Sequence, residues 1–159
     1  MAELRFGLGF DSHPRDPSRP LWLGGVSFPG EPGLAGHSDA DVVCHALADA
    51  LLGAAGLGDI GQHFPDTDPR YEGMGGLDLL ARTVALVRAQ GLEPSSCDLT
   101  LIAERPALAP RRDDLRRNLG AALGIEDPTR VSVKAHRPEG LGLTGDGAAC
   151  LALAVLAPR

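Results

Sequence analysis

The chain is poor in cysteine: among 159 residues only Cys44, Cys97 and Cys150 carry thiols. They are odd in number and far apart, so neither an even disulfide framework nor a C-x-x-C zinc pattern is available. They read as the reduced, buried thiols of a cytoplasmic protein. Long hydrophobic runs are lacking too. The longest, Ala148 to Ala157, is about half of a membrane span. The stretch Met1 to Phe6 lacks the apolar core of a signal peptide. Positive charge is in deficit, with 15 Lys and Arg against 21 Asp and Glu and a formal net charge of −6. Such a chain repels nucleic acid and anionic lipid at long range, and neither is expected as a partner. Arg111, Arg112, Arg116 and Arg117 do not change this, because Asp113 and Asp114 are interleaved with them on a solvated helix face. Walker A, G-x-G-x-x-G and G-x-S-x-G patterns are all missing, which removes the commonest nucleotide-binding loops and the serine-hydrolase elbow.

What is present suits one globular domain over residues 1–159. Hydrophobic residues make up 43% and charged residues 23%, ordinary values for a chain long enough to bury its own core. Leu4, Phe6, Leu8 and Phe10 alternate with smaller or polar residues, the period of a strand ending near Asp11. Leu21–Leu23 and Val26–Phe28 flank Gly24-Gly25 as a hairpin. Pro29–Gly36 reads as a loop. A first helix is expected from about Asp39 to Ala54 and a second from about Leu77 to Gln90, with Gly91 just beyond its end. The span Gly56 to Pro69 reads as a long loop carrying Asp59, Asp66 and Asp68, each of which taken singly suits a turn. A strand over Cys97–Ala103, a helix opened by Pro110 and closed near Gly124, and strands over 131–135 and 147–156 complete the chain. Strands and helices mixed without strict βαβ repetition predict an α+β class with a largely antiparallel sheet.

The chemistry gathers at His37–His45. Ser38 is placed to N-cap the first helix, with Asp41 in the capping-box position three residues on. His45 and Asp49 then follow at one-turn intervals on the same face. Near the chain start, Asp11 and His13 point to one side of an extended strand. Asp11, His13 and His45 together form a two-histidine, one-carboxylate set. Three protein ligands on a tetrahedral ion leave one position open, the arrangement of a catalytic zinc.

Taken in order, several segments resemble the 2-C-methyl-D-erythritol 2,4-cyclodiphosphate synthase family. They are Gly9-Phe10-Asp11-Ser12-His13, Gly36-His37-Ser38-Asp39-Ala40-Asp41 with His45, Gly56–Gly61, Phe64–Pro69, and Lys134-Ala135 through Glu139–Gly142 to Thr144-Gly145. The resemblance implies a homotrimer of ferredoxin-like α+β protomers with active sites between subunits. It implies zinc on Asp11, His13 and His45, substrate contacts from Asp11, Ser12 and His13, and a second divalent ion, magnesium or manganese, on Glu139, which would also contact the substrate. It implies closure of the 2-phosphate of 4-diphosphocytidyl-2-C-methyl-D-erythritol 2-phosphate onto its own diphosphate, with loss of CMP. His37, as a catalytic residue, and Ser38 would meet the substrate phosphates. Asp59, Ile60 and Gly61, with Phe64, Pro65, Asp66, Thr67 and Asp68, would hold the methylerythritol part. The neighbouring subunit would supply a cytidine pocket from Ala103, Pro106, Ala107 and Leu108, with Ala135, His136, Arg137 and Leu143.

Three positions depart from the family pattern. Arg137 stands where the family has its transition-state threonine, a contact to phosphate with longer reach and fixed charge. Ala107 replaces a common lysine, and Asp146 stands where an arginine usually lines the trimer cavity. Two other readings compete with the cyclase: a zinc phosphohydrolase that admits water, and a non-catalytic trimer that binds cytidine nucleotides.

Overall fold

A computed structural model describes residues 3–159; Met1 and Ala2, part of the stretch weighed as a signal peptide, lie outside the described residues. The chain runs through β1 (Arg5–Asp16), β2 (Trp22–Leu23), β3 (Val26–Ser27), β4 (Gly33–Leu34), α1 (Val42–Ala55), α2 (Ile60–His63), α3 (Gly76–Ala89), β5 (Leu92–Ile102), α4 (Arg112–Leu123), β6 (Val131–His136) and β7 (Gly147–Pro158). One sheet has the order β4-β1-β7-β5-β6, and β2 and β3 form a separate hairpin. All pairs in the main sheet are antiparallel except β5–β6, which α4 connects as a crossover.

The helices share one face of the sheet. Helix α1 lies on β1 and β7, α3 on β5 and α1, and α4 on β6 and α3. This layering is α+β. Its long elements run β-α-α-β-α-β-β, which differs from the β-α-β-β-α-β order of the ferredoxin-like motif.

Helix α1 is the centre of the core. All its residues except Asp49 and Gly53 are buried, so it reads as a helix apolar on every side. It approaches β1 so closely because β1 presents glycine there. A Cβ on Gly7 would lie 1.9 Å from the Ala50 carbonyl oxygen, and one on Gly9 would lie 2.0 Å from that of Ala46. The alternating large residues of β1 therefore face the other way: Phe6, Leu8 and Phe10 are exposed, beside exposed Leu151 and Leu153 of β7. Register places Leu8 opposite Leu153 and Phe10 opposite Leu151.

Several boundaries differ from expectation. β1 continues to Asp16, so Asp11 lies within the strand and not at its end. The Pro29–Gly36 stretch contains β4, which pairs with Arg15 and Asp16. Strand β5 begins at Leu92, ahead of the expected Cys97, because a bulge between Pro94 and Ser96 lets the chain pass a proline and stay paired with β7. The Gly56–Pro69 stretch holds α2 and leads into a 3₁₀ turn at Pro69–Tyr71. Another 3₁₀ turn, Ala109–Arg111, takes the place expected for the start of α4.

Candidate metal centre and substrate cavity

Asp11 and His13 sit two residues apart on β1 and project from the same face, toward α1. Ser12, between them, points to the opposite face, the side of Phe10. His45 comes from the first turn of α1, and it is buried. The start of that helix differs from the sequence reading. Asp41, not Ser38, is the N-cap, accepting from the Val43 and Cys44 N–H groups. Helical geometry cannot extend back to Ser38, because Ala40 has φ +57°. Ser38 serves the site instead: its hydroxyl lies 3.0 Å from His45 Nε2.

Three ligand atoms converge. His13 Nε2 is 2.9 Å from Asp11 Oδ2, and His45 Nδ1 is 3.3 Å from the same oxygen. One potential ligand atom from each residue lies within 4.8 Å of the others. Asp11 Oδ2 and His13 Nε2 are buried and, although they face each other, neither makes a hydrogen bond of ordinary geometry among the described residues. Buried polar atoms without partners are costly, and a shared cation satisfies both. When a cation takes His45 Nδ1, Nε2 would carry the proton and donate to Ser38 Oγ, 3.0 Å away, which would set the ring's orientation. Burial pushes the Asp11 carboxyl up, but the neighbouring His13 and His45 outweigh it and hold the carboxyl below its usual range. Burial depresses His45, yet the adjacent Asp11 carboxylate, with the charges of Asp41 and Asp39, leaves it raised. A carboxylate and two imidazoles held this way are a donor set suited to a divalent metal.

The group opens on a cavity of about 450 Å³. His13, His45 and Gly36–Ser38 form one wall; Ile60, Gly61, Phe64, Pro65 and Asp66 form another. The structure thus brings the expected metal group, His37, Ser38 and most of the expected methylerythritol-side residues to one place. Asp59 and Asp68 stand behind it. Asp59 caps α2 by accepting from Gln62 N–H, and Asp68 is engaged by Arg70 at 2.6 Å. Thr67 is exposed and, like Asp59 and Asp68, does not line the cavity. Asp49 accepts from the Ile60 N–H at 3.0 Å and so ties the start of α2 to α1. Sequence reading missed Tyr71, Met74 and Leu79, which line the apolar end. The signal available was weak: Tyr71 follows the Phe64–Pro69 segment and packs edge-on against Phe64 at 5.4 Å.

The residues expected on the cytidine side lie elsewhere. Ala103, Pro106, Ala107 and Leu108 follow β5, and His136, Arg137, Glu139 and Leu143 end or follow β6. Asp11 pairs with Cys150, Cys150 with Leu101, and Leu101 with Ala135. Ala135 is therefore three strands across the sheet from Asp11, about 14 Å at ordinary strand spacing. This second group is itself organised. Ala103 N–H donates to the His136 carbonyl at 3.1 Å, and Glu104 accepts from the Gly140 N–H at 2.8 Å. Arg105 pairs with Glu31 at 2.6 Å, and Arg15 donates to the Arg105 carbonyl. Glu139 is held at φ +55°, a conformation a non-glycine residue adopts only where the surroundings impose it.

Comparison with known proteins agrees with this geometry. The model of the YgbB family matches residues 4–157. The 2-C-methyl-D-erythritol 2,4-cyclodiphosphate synthase of Symbiobacterium thermophilum is 54% identical over 158 residues, 98% of this chain and 100% of that one. The solved bifunctional IspDF of Campylobacter jejuni superposes with a TM-score of 0.94 at 38% identity, with 100% of this chain covering 43% of that longer one. A CDP-bound structure of 2C-methyl-D-erythritol-2,4-cyclodiphosphate synthase gives a TM-score of 0.88 at 39% identity over 96% of this chain and 99% of the other. The chain belongs to the YgbB family, that of the 2-C-methyl-D-erythritol 2,4-cyclodiphosphate synthases.

Proposed function

We propose that the protein converts 4-diphosphocytidyl-2-C-methyl-D-erythritol 2-phosphate to 2-C-methyl-D-erythritol 2,4-cyclodiphosphate with release of CMP, in the non-mevalonate route to isoprenoid precursors. The observation that carries the reading is the convergence of Asp11, His13 and His45, with both histidines on the wall of a cavity of about 450 Å³. In this reaction an oxygen of the 2-phosphate bonds to the β-phosphorus. The bond from that phosphorus to the oxygen bridging the α-phosphate breaks, and CMP leaves with the electron pair. The attacking oxygen is already anionic, so no strong protein base is required. The problem is to hold two anions together and to stabilise the charge that spreads over the phosphoryl oxygens. Zinc held by Asp11, His13 and His45, and magnesium or manganese held by Glu139, would supply Lewis acidity and offset the charge of an acidic chain. His37 and Ser38 orient the reacting phosphates. Ile60, Gly61, Phe64, Pro65 and Asp66 enclose the methylerythritol carbons and keep water from replacing the 2-phosphate as nucleophile.

The active unit in this reading is a homotrimer with sites between subunits. Two features support it: the exposed row of Phe6, Leu8, Phe10, Leu151 and Leu153, and the separation of the cytidine-side residues from the metal group of the same chain. Ala103, Pro106, Ala107, Leu108, Ala135, His136 and Arg137 then serve the next subunit's cavity, with Arg137 reaching phosphate at the family's threonine position. The three cysteines are free and buried, which suits the cytoplasm.

Phosphorus NMR of the purified protein with this substrate and magnesium tests the reading. Paired cyclic-diphosphate resonances and CMP should form, disappear with a zinc chelator, and be absent in His45→Ala. An uncyclised product would favour the phosphohydrolase, and CDP binding without turnover would favour a binding trimer.

A further inference from the structure

We infer that Arg19 is a positioning residue that sets the phosphate-facing loop Gly36–Ser38 from outside the cavity, an inference that rests on the function proposed above. The loop lines the cavity and belongs to no helix or strand. Nevertheless its three successive carbonyls are all engaged. Arg19 Nη1 donates to the Gly36 carbonyl at 2.5 Å, and Nη2 donates to the Ser38 carbonyl. Between them the His37 carbonyl accepts from the Gly73 N–H at 3.1 Å. Arg19 is itself seated by its backbone, donating to the Asp16 carbonyl at 3.1 Å while its own carbonyl accepts from Gly33 N–H at 3.0 Å.

The consequence follows from peptide geometry. In a trans peptide the N–H points opposite to the C=O. Drawing the Gly36 carbonyl onto Arg19 turns the His37 N–H away from it, and the Ser38 carbonyl fixes the Asp39 N–H in the same manner. That N–H donates to the Met74 carbonyl at 3.2 Å. A carbonyl rotated into the cavity would set a partial negative charge against a phosphate. The Gly36–His37 peptide is the one free to rotate, because residue 36 has no side chain to resist. A Cβ there would lie 3.0 Å from Ala40 Cβ and 3.1 Å from His13 Cε1, close enough that these side chains would have to give by a few tenths of an ångström. A planar guanidinium spans two carbonyls at once, which an ammonium does not do with fixed geometry. The hold on Ser38 also reaches the metal group, because Ser38 Oγ orients His45.

The test uses Arg19→Met, which keeps the aliphatic stem, and Arg19→Lys, which keeps one donor head. CMP release is measured with zinc saturating and bound at wild-type stoichiometry, and amide hydrogen exchange is followed peptide by peptide. In Arg19→Met, kcat should fall about tenfold or more while KM stays within about threefold. Exchange should quicken over residues 35–40 and not in α1, and Arg19→Lys should recover part of both. Wild-type kcat in Arg19→Met, a rise in KM alone, or faster exchange spread over the whole chain would overturn the inference. If the wild-type protein releases no CMP, the function reading fails. The loop inference is then decided by exchange, where an unchanged 35–40 segment overturns it.

Discussion

Asp41 is fully buried, and its carboxylate is met by backbone N–H groups rather than a side-chain cation. Oδ1 accepts from Gly24, Val43 and Cys44 at 2.9–3.1 Å; Oδ2 accepts from Gly25 at 2.8 Å and faces the Cys44 thiol at 3.4 Å. One side chain thus caps α1, favoured by the helix dipole, and anchors the β2–β3 hairpin to it. Its place four residues before His45 makes it a determinant of the metal group. Asp41→Asn keeps the shape but turns an N–H₂ group toward one set of donors. It should cost about 3 kcal/mol, read from urea unfolding, because charge-assisted bonds are lost and a buried donor is left unpaired. Ser38→Ala should cost far less, since Ser38 caps no helix and its hydroxyl accepts only the Ala40 N–H, at 3.3 Å, beside its contact with His45. Equal losses in the two variants would contradict this division of roles. The sequence could not separate them. Serine and aspartate are both good caps, and what decides between them is the hairpin glycines, 16 and 17 residues away in the chain.

The pairing of β1 with α1 is the element that builds the centre. Gly7 and Gly9 alternate with Phe6, Leu8 and Phe10, and alternation alone states a strand without stating which face is inside. Glycine won the inner face because Ala46, Ala50 and Ala54 of α1 let two backbones meet there. Gly9→Ala would place a Cβ 2.0 Å from the Ala46 carbonyl oxygen and 2.6 Å from the Ala50 nitrogen. The helix must retreat and carry His45 away from Asp11. Zinc affinity, followed by competition with a chromophoric chelator, should fall about tenfold or more. Gly53→Ala, where nothing lies within 4 Å, should leave zinc binding intact and add up to about 1 kcal/mol of stability. Wild-type zinc affinity in Gly9→Ala would refute the argument. Elements defined by local rules were legible: the Gly24-Gly25 hairpin, the end of α4 at Gly124 in the left-handed region, and the common side of Asp11 and His13. Elements set by distant partners were not. Helix α2 has no clear signal in the sequence, because its start depends on Asp49 of α1 as well as on its own cap, Asp59.

At the scale of the molecule, one sheet row separates the two groups of residues from which the proposed site is built. The metal group opens near β1, while the proposed cytidine-side residues occupy the far edge beyond β5 and β6. In the proposed trimer, a ring of copies would bring the far edge of each chain to the cavity of the next, and the apolar row on β1 and β7 would give the copies a surface to bury. Sequence order alone placed neither half in space, because both contribute to the resemblance in a single list of segments. Their separation appears only through the strand order. Subunit complementation examines the arrangement directly. His45→Ala removes the metal side of a subunit's own cavity. Ala107→Trp, at an exposed position, would fill the pocket that a subunit offers its neighbour in the proposed trimer. Each variant alone should be inactive while remaining trimeric by light scattering. Unfolded together in equal amounts and refolded, they should recover CMP release at about one site in four, since an intact site needs one subunit of each kind in the right order. Sites formed within a single chain would give no recovery at any mixing ratio, and the trimer reading would fail with them.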